Sequence, residues 1–348
     1  MKRRWLVLPL LAVPLAGCGQ LGYLSQSLGG HLRLVGAARP VDEVLQQQDL
    51  APRLRERLLL SQRMRDFAVS ELRLPDNNSY RRYADLKRSA AVWNVVATAP
   101  LSLELKTWCF PIMGCVGYRG YFDEAEAKEF GVGLREQGLE TLVYGVPAYS
   151  TLGWSSWLGG DPLLNTFIGY PEGELARMVF HELAHQVAYA GDDTGFNEAY
   201  ATAVERLGGE RWLKLHATEA ERARDVRAQK QRAEFRALVA PYREQLLKLY
   251  AGREADKPAR KAEIYAAMRA DYQRLKQLSW AGDSRYDRWF AEANNASLAL
   301  MSAYDELVPA FEALFHRLSD DWPRFHAEVR RLAALPKSER RAALAASQ

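Results

Sequence analysis

Charge of one sign, long apolar runs, repeats and cysteine are all in short supply in this 348-residue chain. Forty-seven basic residues face 43 acidic ones, a formal balance of +4, so no bulk charge points to nucleic acid as a partner. No segment repeats at solenoid spacing and none is of low complexity, which excludes a stacked-repeat architecture. The longest apolar run, WLVLPLLAVPLAG from Trp5, is too short and too broken by proline to cross a bilayer stably. What is there is an ordinary globular composition, 48% hydrophobic, enough to bury the core of one large or two modest domains.

The apolar run follows Lys2, Arg3 and Arg4 and gives way to small residues, the order of an export signal. It closes on LAGC, Leu15 to Cys18, which resembles the bacterial lipobox, whose cysteine is lipidated and starts the mature chain. A plain signal peptide ending near Gly17 or Gly22 is the alternative. The resemblance implies a membrane anchor at Cys18, and Gly19 in place of an aspartate favours the outer membrane, periplasmic face. Loss of residues 1–17 removes three cations and no acid, leaving a balance near +1. Only Cys109 and Cys115 then remain. In an oxidising compartment a disulfide between them is the first expectation, with a soft-metal pair as the second.

Gly19 to Gly36 reads as a tether rich in glycine and serine. Helical spacing of Leu50, Leu54, Leu58, Met64 and Phe67 predicts a helix from Val41 to Leu74, closed by PDNNS. Strand-like pieces follow at Ala91 (AVWNVVAT), Leu101 (LSLELKTW) and Thr141 (TLVYGVPAY), with a helix between the last two, started by Asp123 and ended near Gly138. Beyond Gly209 nearly everything reads as helix, broken at AGREADKP, WAGDS and LPKSE. Its charge runs are simplest as solvated faces.

FHELAHQ, Phe180 to Gln186, carries the chemistry. Pro171, Glu172 and Glu174 make a favourable helix start, and the apolar spacing of Leu175, Met178, Val179, Leu183 and Val187 extends the helix toward Gly191. Residues four apart lie about 40° from one another around such a helix. His181 and His185 therefore face one ion together. In the H-E-x-x-H arrangement the glutamate, here Glu182, is not a ligand. It takes a proton from water whose pKa the ion has lowered and carries it to the leaving amine.

A catalytic zinc keeps three protein ligands and one open position. A histidine six residues beyond His185 is excluded, because position 191 is Gly191. Downstream, GDDTGFNEAYATAVERLGGE opens a second helix at Asn197 and Glu198 and ends it at Gly208 and Gly209. The pattern FNEAYA resembles the gluzincins, whose third ligand is a glutamate within N-E-x-x-A. That resemblance makes Glu198 the third ligand. Glu205, seven residues on along the same face, is the rival. With Glu198 as ligand, Glu205 falls behind it as the partner of a histidine ring N–H, with Asn197 beside it. Asp192 and Asp193 read as turn and cap residues.

With GCVGYRGYFDEAEA from Gly114, VPAYSTLGW from Val146, DPLLNTFI from Asp161, HELAHQ, FNEAYA and NNASLALMSAYDELVPAFEALF from Asn294, the mature chain resembles a bacterial family of lipoproteins known as putative aminopeptidases. The resemblance implies a zinc-dependent peptidase. The G-A-M-E-N segment by which alanyl aminopeptidases grip a free amine is missing. Candidates for the oxyanion donor are Tyr149, taken as the leading one, Tyr170, Tyr189 and His216. Arg119, Asn294 and Asn295 are candidates for substrate contact, with a buried acid as the alternative partner of Arg119 and helix capping as the favoured alternative for the asparagines. TLVYGVPAYS suits an edge strand that pairs with extended substrate.

The expected fold is α+β and predominantly helical: a zincin-like core with a small mixed sheet over residues 41–215, and a helical region over 216–348 closing the cleft. A signal peptide (1–17) and a lipidated tether (18–40) precede them. The expected activity is peptide-bond hydrolysis at the cell envelope with one Zn2+ and a peptide substrate. The alternative is a non-catalytic envelope lipoprotein with a structural or vestigial zinc site, acting in assembly. Nothing in the sequence specifies an oligomer.

Overall fold

The computed structural model describes residues 17–110, 114–148, 160–253, 255–302 and 307–345. The segment expected as a tether is a helix, α1 (Gly17–Gly36). Leu34 sinks into the main core, and Tyr23 lies 4.1 Å from the Arg119 guanidinium, so tertiary contacts offset the low helix propensity of its glycines. Next come β1 (Arg39–Pro40), α2 (Val41–Leu45) and α3 (Pro52–Ser70). The single helix expected over 41–74 is thus two. Ala51 is extended (φ −53°, ψ 130°), as a residue ahead of proline prefers.

The strands are β2 (Arg82–Ala84), β3 (Val92–Thr98), β4 (Trp108–Phe110), β5 (Gly114–Val116) and β6 (Arg119–Tyr121). Helix α4 (Glu124–Glu136), β7 (Glu140–Val146) and β8 (Leu163–Leu164) follow. Among the described residues there are, instead of one mixed sheet, three small ones: a mixed β1-β2-β8, an antiparallel β6-β3-β7 and the hairpin β4-β5. Leu101 to Thr107 form no strand; Leu105 makes one isolated bridge to Thr98. Asp123 caps α4 through the N–H groups of Ala125 and Glu126, and Gly138 stops it at φ +81°.

The rest is helical: α5 (Glu172–Ala184), α6 (Thr194–His216), α7 (Glu219–Ala251), α8 (Lys257–Ser279), α9 (Asp287–Glu292), α10 (Asn295–Ser302), α11 (Val308–Arg317), α12 (Trp322–Ala333) and α13 (Lys337–Ala345). The architecture is therefore α+β with helices dominating. No helix among the described residues is long and apolar enough to cross a membrane.

Gly208 and Gly209 do not end α6, which continues through them to His216. A Cβ at Gly209 would lie 2.6 Å from Cγ of Arg177, and one at Gly208 2.6 Å from Cδ1 of Leu72. The pair lets α6 lie close against α5 and the end of α3. One hydrophobic cluster runs from Leu34 through Phe180, Tyr200 and Phe311 to Leu344, so the core that carries α5 and α6 draws residues from both sides of position 215.

Candidate metal centre

Helix α5 is placed by its apolar stripe. Leu175, Ala176, Val179, Phe180, Leu183 and Ala184 are all fully buried, while His181 and Glu182 on the other side stay partly open. Pro171 is its N-cap, and Glu172 and Glu174 complement its first turn. The helix stops at Ala184 rather than near Gly191, with His185 as the C-cap in αR geometry (φ −57°, ψ −22°). Both histidines therefore keep helical spacing although the backbone turns away immediately afterwards.

That turn returns the chain to α6. Asn197 clamps it from inside: its Oδ1 accepts from the Ala190 N–H at 2.7 Å, and its Nδ2 donates to the Ala190 carbonyl at 2.8 Å. Asp193 caps α6 by accepting from the Phe196 N–H. Arg340, 2% exposed, ties the turn to the C-terminal helices through Asp192 at 2.9 Å and Asp193 at 3.3 Å. With Asn197 pinned, the next side chain, Glu198, is delivered toward α5. Asn197 works through the backbone and makes no hydrogen bond to a histidine ring.

Three side chains converge. Nε2 of His185 and Nε2 of His181 are 3.2 Å apart. Glu198 puts Oε2 3.4 Å from His181 Nε2 and Oε1 3.7 Å from His185 Nε2. One ligand atom from each residue lies within 4.8 Å of the others, a grouping that a single cation can bridge. Two imidazole nitrogens and a carboxylate are donors of borderline hardness, the set that suits a first-row divalent ion. Behind them Glu205 accepts a hydrogen bond from His181 Nδ1 at 3.0 Å, which orients the ring with Nε2 turned toward His185 and Glu198.

The electrostatics of the metal-free group follow from burial and proximity. Burial depresses the His181 pKa, but hydrogen bonds to Glu198 and Glu205 outweigh it and hold the imidazole well above its usual range. Burial and then the neighbouring His181 pull His185 down to about 4. Burial acts to raise Glu198, yet the His181 hydrogen bond and both histidine charges bring its carboxyl below the usual range. The same opposition, with His181 prevailing over burial, lowers Glu205. At neutral pH the group holds one neutral imidazole, His185, one imidazolium, His181, and two carboxylates, and a cation binding through His181 Nε2 displaces its proton.

Three tyrosines feel the charge of Glu198. Burial, with smaller contributions from nearby phenols and Glu198, pushes Tyr118 up to about 12. Tyr144 and Tyr189 are also raised, first by burial and also by Glu198. Each stays a protonated O–H donor at neutral pH. Tyr189 was among the sequence candidates, whereas Tyr118 and Tyr144 were not. Tyr144 lies on β7, the strand read as a substrate edge, and β7 is indeed at one edge of its sheet. Tyr80, fully buried, is raised by burial and then by the charge of Glu182.

Other sequence candidates lie elsewhere. Arg119 is stacked between aromatic rings, 4.1 Å from Tyr23 and 4.7 Å from Phe130, and packs α1 and α4 onto β6 instead of meeting a carboxylate. Asn294 caps α10, accepting from the Ser297 N–H at 3.1 Å, and donates to the Thr141 carbonyl at 2.9 Å. Asn295, fully buried, accepts from the hydroxyls of Tyr250 and Tyr265 and donates to the Pro100 carbonyl. Its hydrogen-bonding capacity is spent inside the fold. His216 packs on Trp212 and Phe67, and the Tyr170 carbonyl anchors Arg57. Cys109 and Cys115 are joined across the β4-β5 hairpin. Cys18 lies in the first turn of α1, and Tyr149 lies outside the described residues.

A family model described as "putative aminopeptidase" matches residues 22–344. No curated protein and no solved structure matches the chain.

Proposed function

Because the chain belongs to this putative aminopeptidase family, we propose that it is a zinc-dependent peptidase with a zincin-like centre on α5 and α6. The observation that carries the reading is the convergence of His181, His185 and Glu198 within 4.8 Å, with Glu182 next to the first histidine on the same helix. His181 and His185 would hold one Zn2+ through Nε2, and Glu198 would hold it through its carboxylate. A bound zinc supplies Lewis acidity, polarising the scissile carbonyl and making water nucleophilic near neutral pH.

The chain's own residues do the rest. Glu205 holds the His181 ring by Nδ1–H and increases its basicity at Nε2. Glu182 accepts a proton from the attacking water and passes it to the leaving amine. Phenols near Glu198, from Tyr118, Tyr144 and Tyr189, are the donors available to the oxyanion that develops on the attacked carbonyl. The edge of β7 offers backbone groups with which an extended peptide can pair. Cleavage at a free amino terminus is the specificity that the family description names. We place the enzyme at the outer membrane, facing the periplasm and anchored through Cys18.

A soluble form beginning at Gly19, supplied with zinc and offered a peptide library with and without chelator, tests the reading. Chelator-sensitive cleavage is the expected result. Stoichiometric zinc with no cleavage of any peptide would favour a non-catalytic envelope lipoprotein.

A further inference from the structure

A cavity of about 1030 Å³ opens between β3 and β7 on one side and α6, α7, α9 and α10 on the other. That is at the upper end of the roughly 300–1,000 Å³ usual for ligand pockets, room for a short stretch of peptide. It adjoins the metal centre through two side chains. Glu205 lines the cavity and bonds His181, and Tyr144 lines it while feeling the charge of Glu198. A ligand filling the cavity therefore ends one side chain away from His181.

The lining is lopsided in charge. Lys128, Arg206, Arg232, Arg236, Arg285 and Arg288 contribute cations, against Glu124, Glu205 and Glu292. Those acids are already engaged: Glu124 with Lys128 at 2.7 Å, Glu292 with Arg288 at 3.0 Å, and Glu205 with His181. Arg206 is met from outside the cavity by Glu312 at 3.5 Å. The side chains of Arg232 and Arg285 form no ion pair or hydrogen bond among the described residues. Arg232 and Arg236 stand one turn apart on α7, a like-charged spacing that disfavours the helix. Trp93 and Trp289 in the same lining offer flat apolar surface to a ligand's aliphatic parts.

Guanidinium groups stay charged at any working pH and present paired N–H donors that match a carboxylate. Among the described residues these cations outnumber the carboxylates of the lining, and Glu205 is the one lining acid whose charge acts on Arg232. Building on the peptidase reading, we propose that this cavity is the substrate pocket and that it selects peptides by a carboxylate, bound by Arg232 with Arg236 and Arg285 around it. That carboxylate is either an acidic side chain or the α-carboxylate of a short peptide.

The test uses tetrapeptides differing only by Glu or Gln at successive positions, each made with a free and with an amidated carboxyl terminus. Two quantities are measured on the zinc-loaded mature protein: kcat/KM for each peptide, and the dissociation constant of each for the Glu182→Gln variant, followed by tryptophan fluorescence. The expected result is a preference of about tenfold or more for the carboxylate-bearing member of a pair, weaker at high salt. The preference falls toward one in Arg232→Gln and is partly kept in Arg232→Lys. A preference for Glu over Gln assigns the pocket to a side chain, and a preference for the free terminus assigns it to the α-carboxylate. Equal values within every pair, or a preference unchanged in a folded Arg232→Gln protein, would overturn the proposal. The two readings fail separately. Tight acidic-peptide binding without cleavage keeps the pocket and removes the peptidase, whereas cleavage without discrimination does the reverse.

Discussion

Nδ1 of His181 and Oε2 of Glu205 lie 3.0 Å apart, and the two residues come from different helices, α5 and α6. The bond fixes which nitrogen of the ring faces His185 and Glu198. Carboxylates in this position behind a metal-binding histidine are worth roughly 10–100-fold in metal affinity. Glu205→Ala is therefore expected to weaken zinc binding by that factor without removing a ligand. A competition titration against a chromophoric chelator checks it, and unchanged affinity would take Glu205 out of the account.

Gly209→Ala separates close packing from helix propensity. Alanine gains about 1 kcal/mol as a helix former, but the added Cβ would sit 2.6 Å from Cγ of Arg177. Arg177 is buried, and Asp225 holds its guanidinium, so it has little freedom to move aside. Overpacking costs about 1–3 kcal/mol, and net destabilisation is expected in urea unfolding. Gly133→Ala on α4 meets nothing within 4 Å and is expected to stabilise by about 0.5–1 kcal/mol.

His326 predicts an acid-sensitive step remote from the metal. Burial is the main cause of its low pKa of about 4. Its Nδ1 accepts from the Tyr200 hydroxyl, and its Nε2 donates to the Leu72 carbonyl. The unfolded ring titrates near 6.5, so between these values the unfolded chain takes up a proton that the folded chain refuses. The stability this ring contributes is full above about pH 6.5 and falls as pH drops toward 4, at about 1.4 kcal/mol per pH unit. His326→Gln should flatten that part of the stability profile relative to the parent. Parallel profiles would refute the assignment.

Some of this architecture was legible because it is written locally. The apolar period that sets α5, the Asp123 cap and Gly138 stop of α4, and the β-branched and aromatic residues of β3 and β7 need no distant partner. What failed depends on distant partners. Gly208 and Gly209 look like a stop until Leu72 and Arg177 are seen pressed against them. Arg119 invites a carboxylate until rings from α1 and α4 close over it. Asn295 looks available until two tyrosines, from α7 and α8, are found bonded to its side chain. The nearness of Tyr118 and Tyr144 to Glu198 is likewise tertiary, and only the strand carrying Tyr144 could have drawn attention to it.

The division of labour between Glu182 and the three proposed ligands is the centre of the account, and Glu182→Gln tests it most directly. Zinc content and peptide turnover are measured on the same purified sample. The account predicts close to one zinc per chain, as in the parent, with kcat/KM lowered by about a hundredfold or more. A Gln variant that keeps zinc and cleaves peptides at the parent rate would contradict it.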